Sequence, residues 1–267
     1  MGTPAWLAQA LAVDYARFLP VRVDERRFGW VAPEFAASLG RFADVFACEP
    51  QRVSLAPELA TARARTEGVA RVLEVLRAEG LVNGWRDELC EVYAEASGEP
   101  LFRIERAAVK RFGVRSRAAH LNGIVDTGRG PAMWIARRSP DRPSDPGKLD
   151  NLVGGGIAAD RDAWQTLVKE CREEASIPFL LVQDARPRDT LSFDYLATDG
   201  LDSNEIEAFD LVLPRVFEPR NEDGEVAGFE LLSFPEVRER IEVPYLFTID
   251  AALVAWTCLQ RWEGGEE

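Results

Sequence analysis

The sequence predicts an α+β or α/β fold in which a mixed β-sheet packs between helices and follows a smaller α+β domain. The 267 residues are 46% hydrophobic and 29% charged, which is enough apolar material to bury a core. After His120, short runs rich in β-branched and aromatic residues alternate with turn residues and are interrupted by two helical segments. Because this texture and the charge balance both change near residue 115, we expect two domains, residues 1–115 and residues 116–267.

The elements of the first domain follow from helical periodicity and from turn residues. Apolar residues recur at helical spacing from Trp6 to Phe18 and again between Glu67 and Glu79, so each stretch predicts a helix with one face in the core. Between them lie RFGWVAP and a proline-punctuated stretch from Pro50 to Pro57. The later segment EPLFRIERAAV is typical of a strand that runs into a turn.

The second domain contains six short runs with the composition of strands. In chain order they are HLNGIV, AMWIARR, FLLVQ, LSFDYLA, AFDLVLP and GFELLSF. One helix is predicted from about Asp162 to Ala175, and a last helix from about Ile249 to Trp262. Strands and helices in this order predict a mixed sheet with helices packed on it.

The acidic charge is concentrated in the second domain and limits the partners of the protein. The net charge of the chain is −13. Residues 1–118 carry 17 basic and 16 acidic side chains, whereas the remaining residues carry 15 basic and 29 acidic side chains. An acidic surface disfavours nucleic acid, and a phosphorylated small molecule would need a divalent ion to bridge like charges. No apolar run approaches the roughly 20 residues that span a bilayer. The first segment, MGTPAWLAQALAVDYARFLP, lacks the basic region of a secretion signal, so we expect a cytoplasmic protein. Four widely spaced cysteines and a single histidine argue against structural zinc or a disulfide framework.

One predicted helix carries the residues that suggest chemistry. Its predicted apolar face consists of Trp164, Leu167, Val168, Cys171 and Ala175. On a separate face, Glu170, Glu173 and Glu174 stand at i, i+3 and i+4, so their oxygens can converge on one hard cation such as Mg²⁺ or Mn²⁺. The spacing also fits a solvated acidic face, because like-charge pairs cost only ~0.2–0.5 kcal/mol each on an exposed helix. The residues alone leave both interpretations open.

This segment resembles the signature of the Nudix hydrolases, G-x5-E-x7-R-E-U-x-E-E-x-G-U, where U is aliphatic. With Gly155 at the first glycine, the acids Glu170, Glu173 and Glu174 match the pattern, whereas Arg161, Lys169 and Ser176 depart from it. The resemblance implies a Nudix fold and metal-dependent hydrolysis of a diphosphate. It also implies that the three acids bind Mg²⁺ or Mn²⁺ and that Glu170 or Glu173 serves as the general base.

Strings within and around this helix resemble one subfamily, the Nudix proteins related to the domain fused to thiamine pyrophosphokinase in some fungi. They are HLNGIV, WIARRSPDRPSDPGKLDNLVGGG, KECREEASIP, FDLVLPRVFEPRNEDGEVAGFELLSF and FTIDAALV; RFGWVAPEFAASLGRFADVF and GEPLFRIERAAVKRFGV resemble its extra N-terminal domain. This resemblance implies conversion of thiamine diphosphate, or of its oxidised analogues, to the monophosphate and phosphate. Two alternatives stay open. The substrate could be a nucleoside diphosphate derivative such as ADP-ribose, a sugar nucleotide or a dinucleotide, or Arg161 could mark a non-catalytic diphosphate-binding module.

Several further residues have both a functional and a structural interpretation. Glu225, in the loop NEDGEVAG, is a candidate metal ligand brought from outside the helix, or an acid of a plain hairpin. Arg137, Arg138 and Lys148 are candidate phosphate-binding residues or surface charges, and Gly155 could approach phosphate oxygens or form a tight strand-to-helix turn. We expect His120 to be structural. Three tryptophans can stack a heteroaromatic ring or lie in the core: Trp30, Trp85 and Trp134. The expected partner is a small-molecule diphosphate, without nucleic acid or membrane, and a homodimer is possible.

Overall fold

A computed structural model describes residues 2–94 and 98–265 of the chain. The first part contains a four-stranded sheet of order β2-β1-β4-β3 and a separate two-stranded hairpin. Their strands are β1 (Leu19–Val23), β2 (Arg26–Val31), β3 (Phe46–Glu49), β4 (Arg52–Leu55), β5 (Leu89–Tyr93) and β6 (Pro100–Glu105). The helices of this part are α1 (Ala5–Ala10), α2 (Pro33–Leu39) and α3 (Ala62–Ala78), and short 3-10 turns cover Tyr15–Arg17 and Arg106–Ala108.

The first predicted helix is shorter than its periodicity indicates, and the second is longer. Helix α1 ends at Ala10, and the Asp14 side chain accepts a hydrogen bond from the amide of Ala16, which forms a separate turn before β1. Helix α3 begins well before Glu67, because the Thr61 hydroxyl accepts from the amide of Ala64 and caps it. The apolar stripe of α3 is buried, as predicted: Val69, Val72, Leu73 and Leu76.

The second part is built on a seven-stranded mixed sheet. Its path is β11-β12-β7-β8-β13, with β10 paired to β7 and β9 paired to β8; only the β7–β12 pair on this path is parallel. The strands are β7 (Arg115–Asp126), β8 (Pro131–Arg138), β9 (Leu149–Asp150), β10 (Val153–Gly156), β11 (Arg186–Ala197), β12 (Gly200–Val212) and β13 (Val226–Ser233). The helices are α4 (Ala163–Ala175), α5 (Phe179–Val182), α6 (Phe234–Ile241) and α7 (Ile249–Glu263).

Helices cover both faces of this sheet. Ala119 and Leu121 of β7 pack against α4, whereas Ile124 of the same strand packs against α6 and α7 on the opposite face. This alternation is the period-2 geometry of a strand buried on both sides. The predicted fold class, a mixed sheet between helices after a smaller α+β part, is confirmed.

Capping residues fix the two long helices of the second part close to their predicted bounds. Asp162 caps α4 and forms a capping box with Gln165, and Thr248 caps α7. One predicted strand is wrong, because FLLVQ forms the single helical turn α5 after Pro178. Leu180 of this turn is 76% exposed, so the apolar run does not signal a buried strand here.

The N-terminal helix packs on the second part rather than on the first. Trp6 and Leu7 are buried in the cluster formed by α6 and α7, and the Trp6 indole donates a 2.7 Å hydrogen bond to the carbonyl of Ile241. Within the described ranges, no helix combines the length and apolar character needed to cross a membrane.

Candidate functional site

The three signature acids on α4 do not share one environment. Glu174 is only 7% exposed and Oε2 of its carboxylate accepts a 2.9 Å hydrogen bond from the amide of Gly154, whereas the side chain of Glu173 is 42% exposed. The expectation that Glu174 lies on a face separate from the apolar residues is wrong. It follows Leu167 by seven residues, which is about 20° short of two full turns, so both point towards the sheet. Conversely, Trp164, which was predicted to belong to the buried apolar face, is 37% exposed.

The pKa of the Glu174 carboxyl group is raised well above the ordinary value for a glutamate. Burial raises its pKa to about 8, the Gly154 hydrogen bond opposes that rise, and the nearby carboxylates of Asp150, Glu170 and Asp223 add to it. A positive charge beside such a buried carboxyl group stabilises its ionised form. The position therefore favours cation binding.

Glu174 forms a cluster with two acids from a distant loop. One carboxylate oxygen from each of Glu174, Asp223 and Glu225 lies within 4.8 Å of the other two. The loop is held against the end of α4, because the amide of Glu222 donates to the carbonyl of Glu173 at 2.9 Å. Asp223 shapes the loop as well, since its Oδ1 accepts from the amide of Glu225 at 2.8 Å. The sequence analysis singled out Glu225 but missed Asp223, although both lie in NEDGEVAG.

The other two signature acids are bound by a lysine on the same helix. The Lys169 ammonium lies 2.9 Å from Oε1 of Glu170 and 2.7 Å from Oε2 of Glu173. The structure therefore separates the predicted trio into one buried acid in the loop cluster and two acids paired with Lys169. Ser176, another departure from the signature, ends α4 in the left-handed region with φ 50°, where the family pattern has glycine.

The glycine run before α4 forms strand β10 rather than the predicted tight turn. Gly154, Gly155 and Gly156 pair with β7, and a β-carbon at any of them would press on a neighbouring side chain. At Gly155 it would collide with Cγ of Glu170, and at Gly156 with the guanidinium of Arg106. The glycines thus let side chains from two directions approach the strand closely.

The cations nearest to the acid cluster come from the loop between β8 and β9. Arg142, which the sequence analysis missed within SPDRPSDPGK, forms an ion pair with Glu225. Burial and the charges of Arg138 and Arg86 lower the pKa of Arg142, while Glu174 and Asp150 act in the opposite direction. Arg138, a predicted substrate residue, binds Asp150 at 2.7 Å.

The remaining predicted substrate cations are paired elsewhere. Arg137 lies 3.0 Å from both Glu230 on β13 and the carbonyl of Gly147. Lys148 lies 2.5 Å from Asp145. In the described part of the chain, none of the three basic residues predicted to bind substrate forms an ion pair with the acid cluster; Arg138 pairs with Asp150, a carboxylate that influences the pKa of Glu174.

His120 belongs to a buried polar network, in agreement with its predicted structural role. Its Nδ1 lies 2.8 Å from Oδ1 of Asn151, whose amide donates to Asn122 at 3.1 Å. Asn122 in turn donates to Asp210 at 2.9 Å, and Asp210 also accepts from Arg261 of α7 at 2.7 Å. This network joins the strands beside the acid cluster to the helix on the other face of the sheet.

Comparison with known proteins gives matches to both parts of the chain. The sequence profile of the NUDIX domain matches residues 116–256, and the profile described as a domain of unknown function (DUF4743) matches residues 7–116. The chain also resembles a crystal structure of DR0079 from Deinococcus radiodurans, with a TM-score of 0.44, 19% identity and coverage of 66% of this chain and 96% of that one.

Two curated relatives from Arabidopsis thaliana extend over most of the chain. Nudix hydrolase 24, chloroplastic, is 33% identical over 239 residues, and Nudix hydrolase 20, chloroplastic, is 32% identical over 246 residues. Each alignment covers 89% of this chain, and the chain spans 66% of the length of each relative. The NUDIX match covers more than half of the 267 residues and contains the helix with the signature acids. The chain belongs to the NUDIX family.

Proposed function

We propose that this protein hydrolyses the phosphoanhydride bond of an organic diphosphate with the help of Mg²⁺ or Mn²⁺. The observation that carries the proposal is the cluster of Glu174, Asp223 and Glu225, in which carboxylate oxygens from a helix and a distant loop lie within 4.8 Å of one another. Family membership and the two plant Nudix hydrolases support the same reaction class.

The donor set of the cluster fits a hard divalent ion. All three groups are carboxylates, which Mg²⁺ and Mn²⁺ prefer over nitrogen or sulfur ligands. The Gly154 amide fixes one of them, Glu174, in a buried position, so little side-chain entropy is lost when the site fills. When bound, such an ion neutralises diphosphate oxygens and lowers the pKa of a bound water.

The remaining signature acids are our candidates for the group that accepts a proton from water. In the described contacts, Lys169 lies beside Oε1 of Glu170 and Oε2 of Glu173, so the second oxygen of each carboxylate can act as a base. Water adds to the terminal phosphorus, its proton passes to Glu173 or Glu170, and the bond from that phosphorus to the bridging oxygen breaks. The products are an organic monophosphate and phosphate.

Two arginines are our candidates for holding the diphosphate. Arg142, on the loop between β8 and β9, is partly buried and pairs with Glu225, and Arg138, at the end of β8, pairs with Asp150. A guanidinium binds phosphate oxygens in a fork and keeps its charge when desolvated. We propose that these two side chains orient the terminal phosphate against the acids and offset the negative charge of the second part.

For the organic group we propose thiamine diphosphate or its oxidised analogues, on the strength of the resemblance to the thiamine pyrophosphokinase-related subfamily. A nucleoside diphosphate derivative is the alternative substrate. A non-catalytic binding module is the second candidate function, because exposed Arg161 stands where the signature has its first glutamate. The cytoplasmic location and the homodimer remain predictions.

The test is hydrolysis with Mg²⁺ or Mn²⁺ of intact and oxidised thiamine diphosphate, ADP-ribose and a dinucleotide, compared as kcat/KM. Thiamine diphosphates release phosphate directly, whereas ADP-ribose and the dinucleotide give organic phosphates, which an added phosphatase converts to phosphate for detection. We expect Glu174→Gln and Glu173→Gln to lose at least ~100-fold in kcat while they remain folded by circular dichroism. Glutamine at position 174 keeps an oxygen for the Gly154 amide, and Glu239→Gln on the exposed face of α6 is the matched control. Full activity in both variants contradicts the proposal, and tight diphosphate binding without turnover supports the non-catalytic module.

A further inference from the structure

A cavity of about 370 Å³ lies between the two parts of the chain. Strands β2 and β5 of the first part supply Trp30 and Tyr93, and strands β7, β11 and β12 supply Arg115, Asp194 and Glu205. Its volume falls within the roughly 300–1,000 Å³ of typical small-molecule sites. None of these residues belongs to the acid cluster on α4 and its loop.

Two buried polar atoms of this cavity have no hydrogen-bond partner in the described part of the chain. They are Oδ1 of Asp194, an acceptor, and Nε of Arg115, a donor. The other oxygen of Asp194 accepts a hydrogen bond from the Tyr15 hydroxyl, which fixes the carboxylate. Because buried polar atoms are nearly always paired in folded proteins, this donor and acceptor point to a ligand with the complementary groups.

The aromatic residues of the cavity are suited to a flat ring. The Trp30 ring is held by Tyr15, with 5.0 Å between ring centroids and a tilt of 38°, and by the Arg27 guanidinium, which lies over the ring 4.3 Å from its centroid. Tyr93 is likewise fixed by Arg117, which lies 5.9 Å from its ring centroid. Immobilised aromatic rings stack heterocycles with little loss of entropy on binding.

The cavity lies on the same face of the sheet as the helix with the acids. Alternation along β7 places Arg115 on the side of Ala119 and Leu121, the residues that pack against α4. Strand β7 connects the two places. Arg115 near its start lines the cavity, and five residues later His120 pairs with Gly154, whose amide binds the Glu174 carboxylate. Five residues of strand span about 16 Å, which is the scale of an extended organic diphosphate.

We infer that this cavity binds the planar, amino-substituted nitrogen heterocycle of the substrate. The exocyclic amino group donates to Oδ1 of Asp194, a ring nitrogen accepts from Nε of Arg115, and the ring stacks against Trp30. An aminopyrimidine and an adenine share this chemistry. The assignment of the bound ring to a substrate rests on the proposed function, whereas the binding of the ring itself does not.

The test measures binding of phosphate-free probes to the full chain without metal. Thiamine and adenosine are added separately, and saturation-transfer NMR detects whether each probe binds. The affinity is obtained from the broadening of the probe signals as the concentration of the chain is varied. We expect at least one probe to bind, and we expect its affinity to fall about tenfold or more in Asp194→Asn and in Trp30→Leu. In Asp194→Asn, the Tyr15 hydroxyl takes the amide oxygen, so a donor replaces the unpaired acceptor of this lining residue. Asp184→Asn, at a carboxylate that is 74% exposed, is the matched control.

The outcomes separate this inference from the proposed reaction. Which probe binds distinguishes the thiamine-like from the adenine-like source of the ring. If neither probe binds a chain that still hydrolyses diphosphates, or if binding survives in both variants, the heterocycle lies elsewhere and the inference fails while the reaction stands. If a probe binds through Asp194 and Trp30 but no diphosphate is hydrolysed, the cavity is a heterocycle site and the proposed reaction fails. Unchanged melting temperatures in the variants exclude unfolding as the cause of lost binding.

Discussion

The amide of Gly154 donates a 2.9 Å hydrogen bond to the buried carboxylate of Glu174, across 20 residues of sequence. This bond ties strand β10 to the last turn of α4 and fixes the one signature acid that meets the loop carboxylates. The glycine is also sterically required, because a β-carbon there would lie 3.0 Å from the His120 ring. The glycine run of β10 therefore helps to position Glu174, through the hydrogen bond, and Glu170, which packs against Gly155.

Replacing Gly155 should disturb the site without removing any of its functional groups. In Gly155→Ala the new methyl group collides with Cγ of Glu170, so the acid must move or the strand must shift. We expect a loss of about 1–3 kcal/mol in the free energy of unfolding and a lower kcat. Urea unfolding and phosphate release measure the two effects. Gly228→Ala in β13, where a β-carbon meets nothing within 4 Å, is the control and should change neither.

Asp223 should contribute to metal affinity although it lies outside the signature helix. We expect Asp223→Asn to weaken Mn²⁺ binding about tenfold or more, because a charged oxygen ligand becomes neutral, whereas the amide oxygen still accepts from the amide of Glu225 and keeps the loop in shape. Titration calorimetry with Mn²⁺ measures the change. Asp160→Asn, at an exposed carboxylate before α4, should bind Mn²⁺ as the unmodified chain does. Equal affinity in both variants would remove Asp223 from the metal site.

Arg142 should act on substrate binding more than on metal binding. Arg142→Met removes a guanidinium that is paired with Glu225, so the cluster becomes more negative and attracts a divalent ion at least as well. The diphosphate, however, loses a forked donor, and we expect its KM to rise about tenfold or more. Steady-state kinetics and Mn²⁺ titration check the two halves of this expectation. Arg63→Met, at a side chain that is 87% exposed on α3, serves as the comparison.

The free energy of unfolding should decrease as the pH rises, because of one buried carboxyl group. Burial raises the pKa of Asp250 to about 8, Asp202, Asp150 and Asp145 add to the rise, and Lys110 opposes it. Because this folded-state pKa lies above the unfolded value, the folded chain holds a proton that the unfolded chain has released. The stabilising contribution is therefore complete below the unfolded pKa and disappears as the pH rises to about 8.

Asp250→Asn removes this titration and isolates its effect. We expect the variant to gain roughly 1–3 kcal/mol over the unmodified chain between about pH 5 and about pH 9, because its buried side chain stays neutral throughout. Urea unfolding at both pH values measures the gain. Asp189→Asn, at a partly exposed residue of β11, keeps the pH dependence of the unmodified chain. A gain that is the same at both pH values would show that Asp250 does not titrate on folding.

Local patterns predicted most of the second part of the fold. The capped helices α4 and α7 and five of the six apolar runs lie where the sequence predicts them, because alternation, periodicity and caps act over a few residues. The strand predicted for FLLVQ was wrong, because a short apolar run of this length does not distinguish a strand from a helical turn, and here a helical turn begins after Pro178. The domain boundary near residue 115 stays a prediction.

The candidate site was less accessible to sequence analysis, since its parts meet only in the folded chain. The signature identified Glu174, but a loop almost fifty residues later supplies Asp223 and Glu225, and that contact has no local signal. The burial of Glu174 could have been found, because its seven-residue distance from Leu167 places both on one side of the helix. The i, i+4 spacing of Lys169 and Glu173 is local, and it allows the 2.7 Å ion pair that these two residues form.

Helix α1 has a consequence for how the protein can be divided. The indole of Trp6 fills a groove formed by the last two helices, although the strands that follow it build a different core. A recombinant fragment that starts at residue 116 therefore carries an open apolar groove, which promotes self-association. The stretch that matches the NUDIX profile therefore leaves out a helix that covers part of its core.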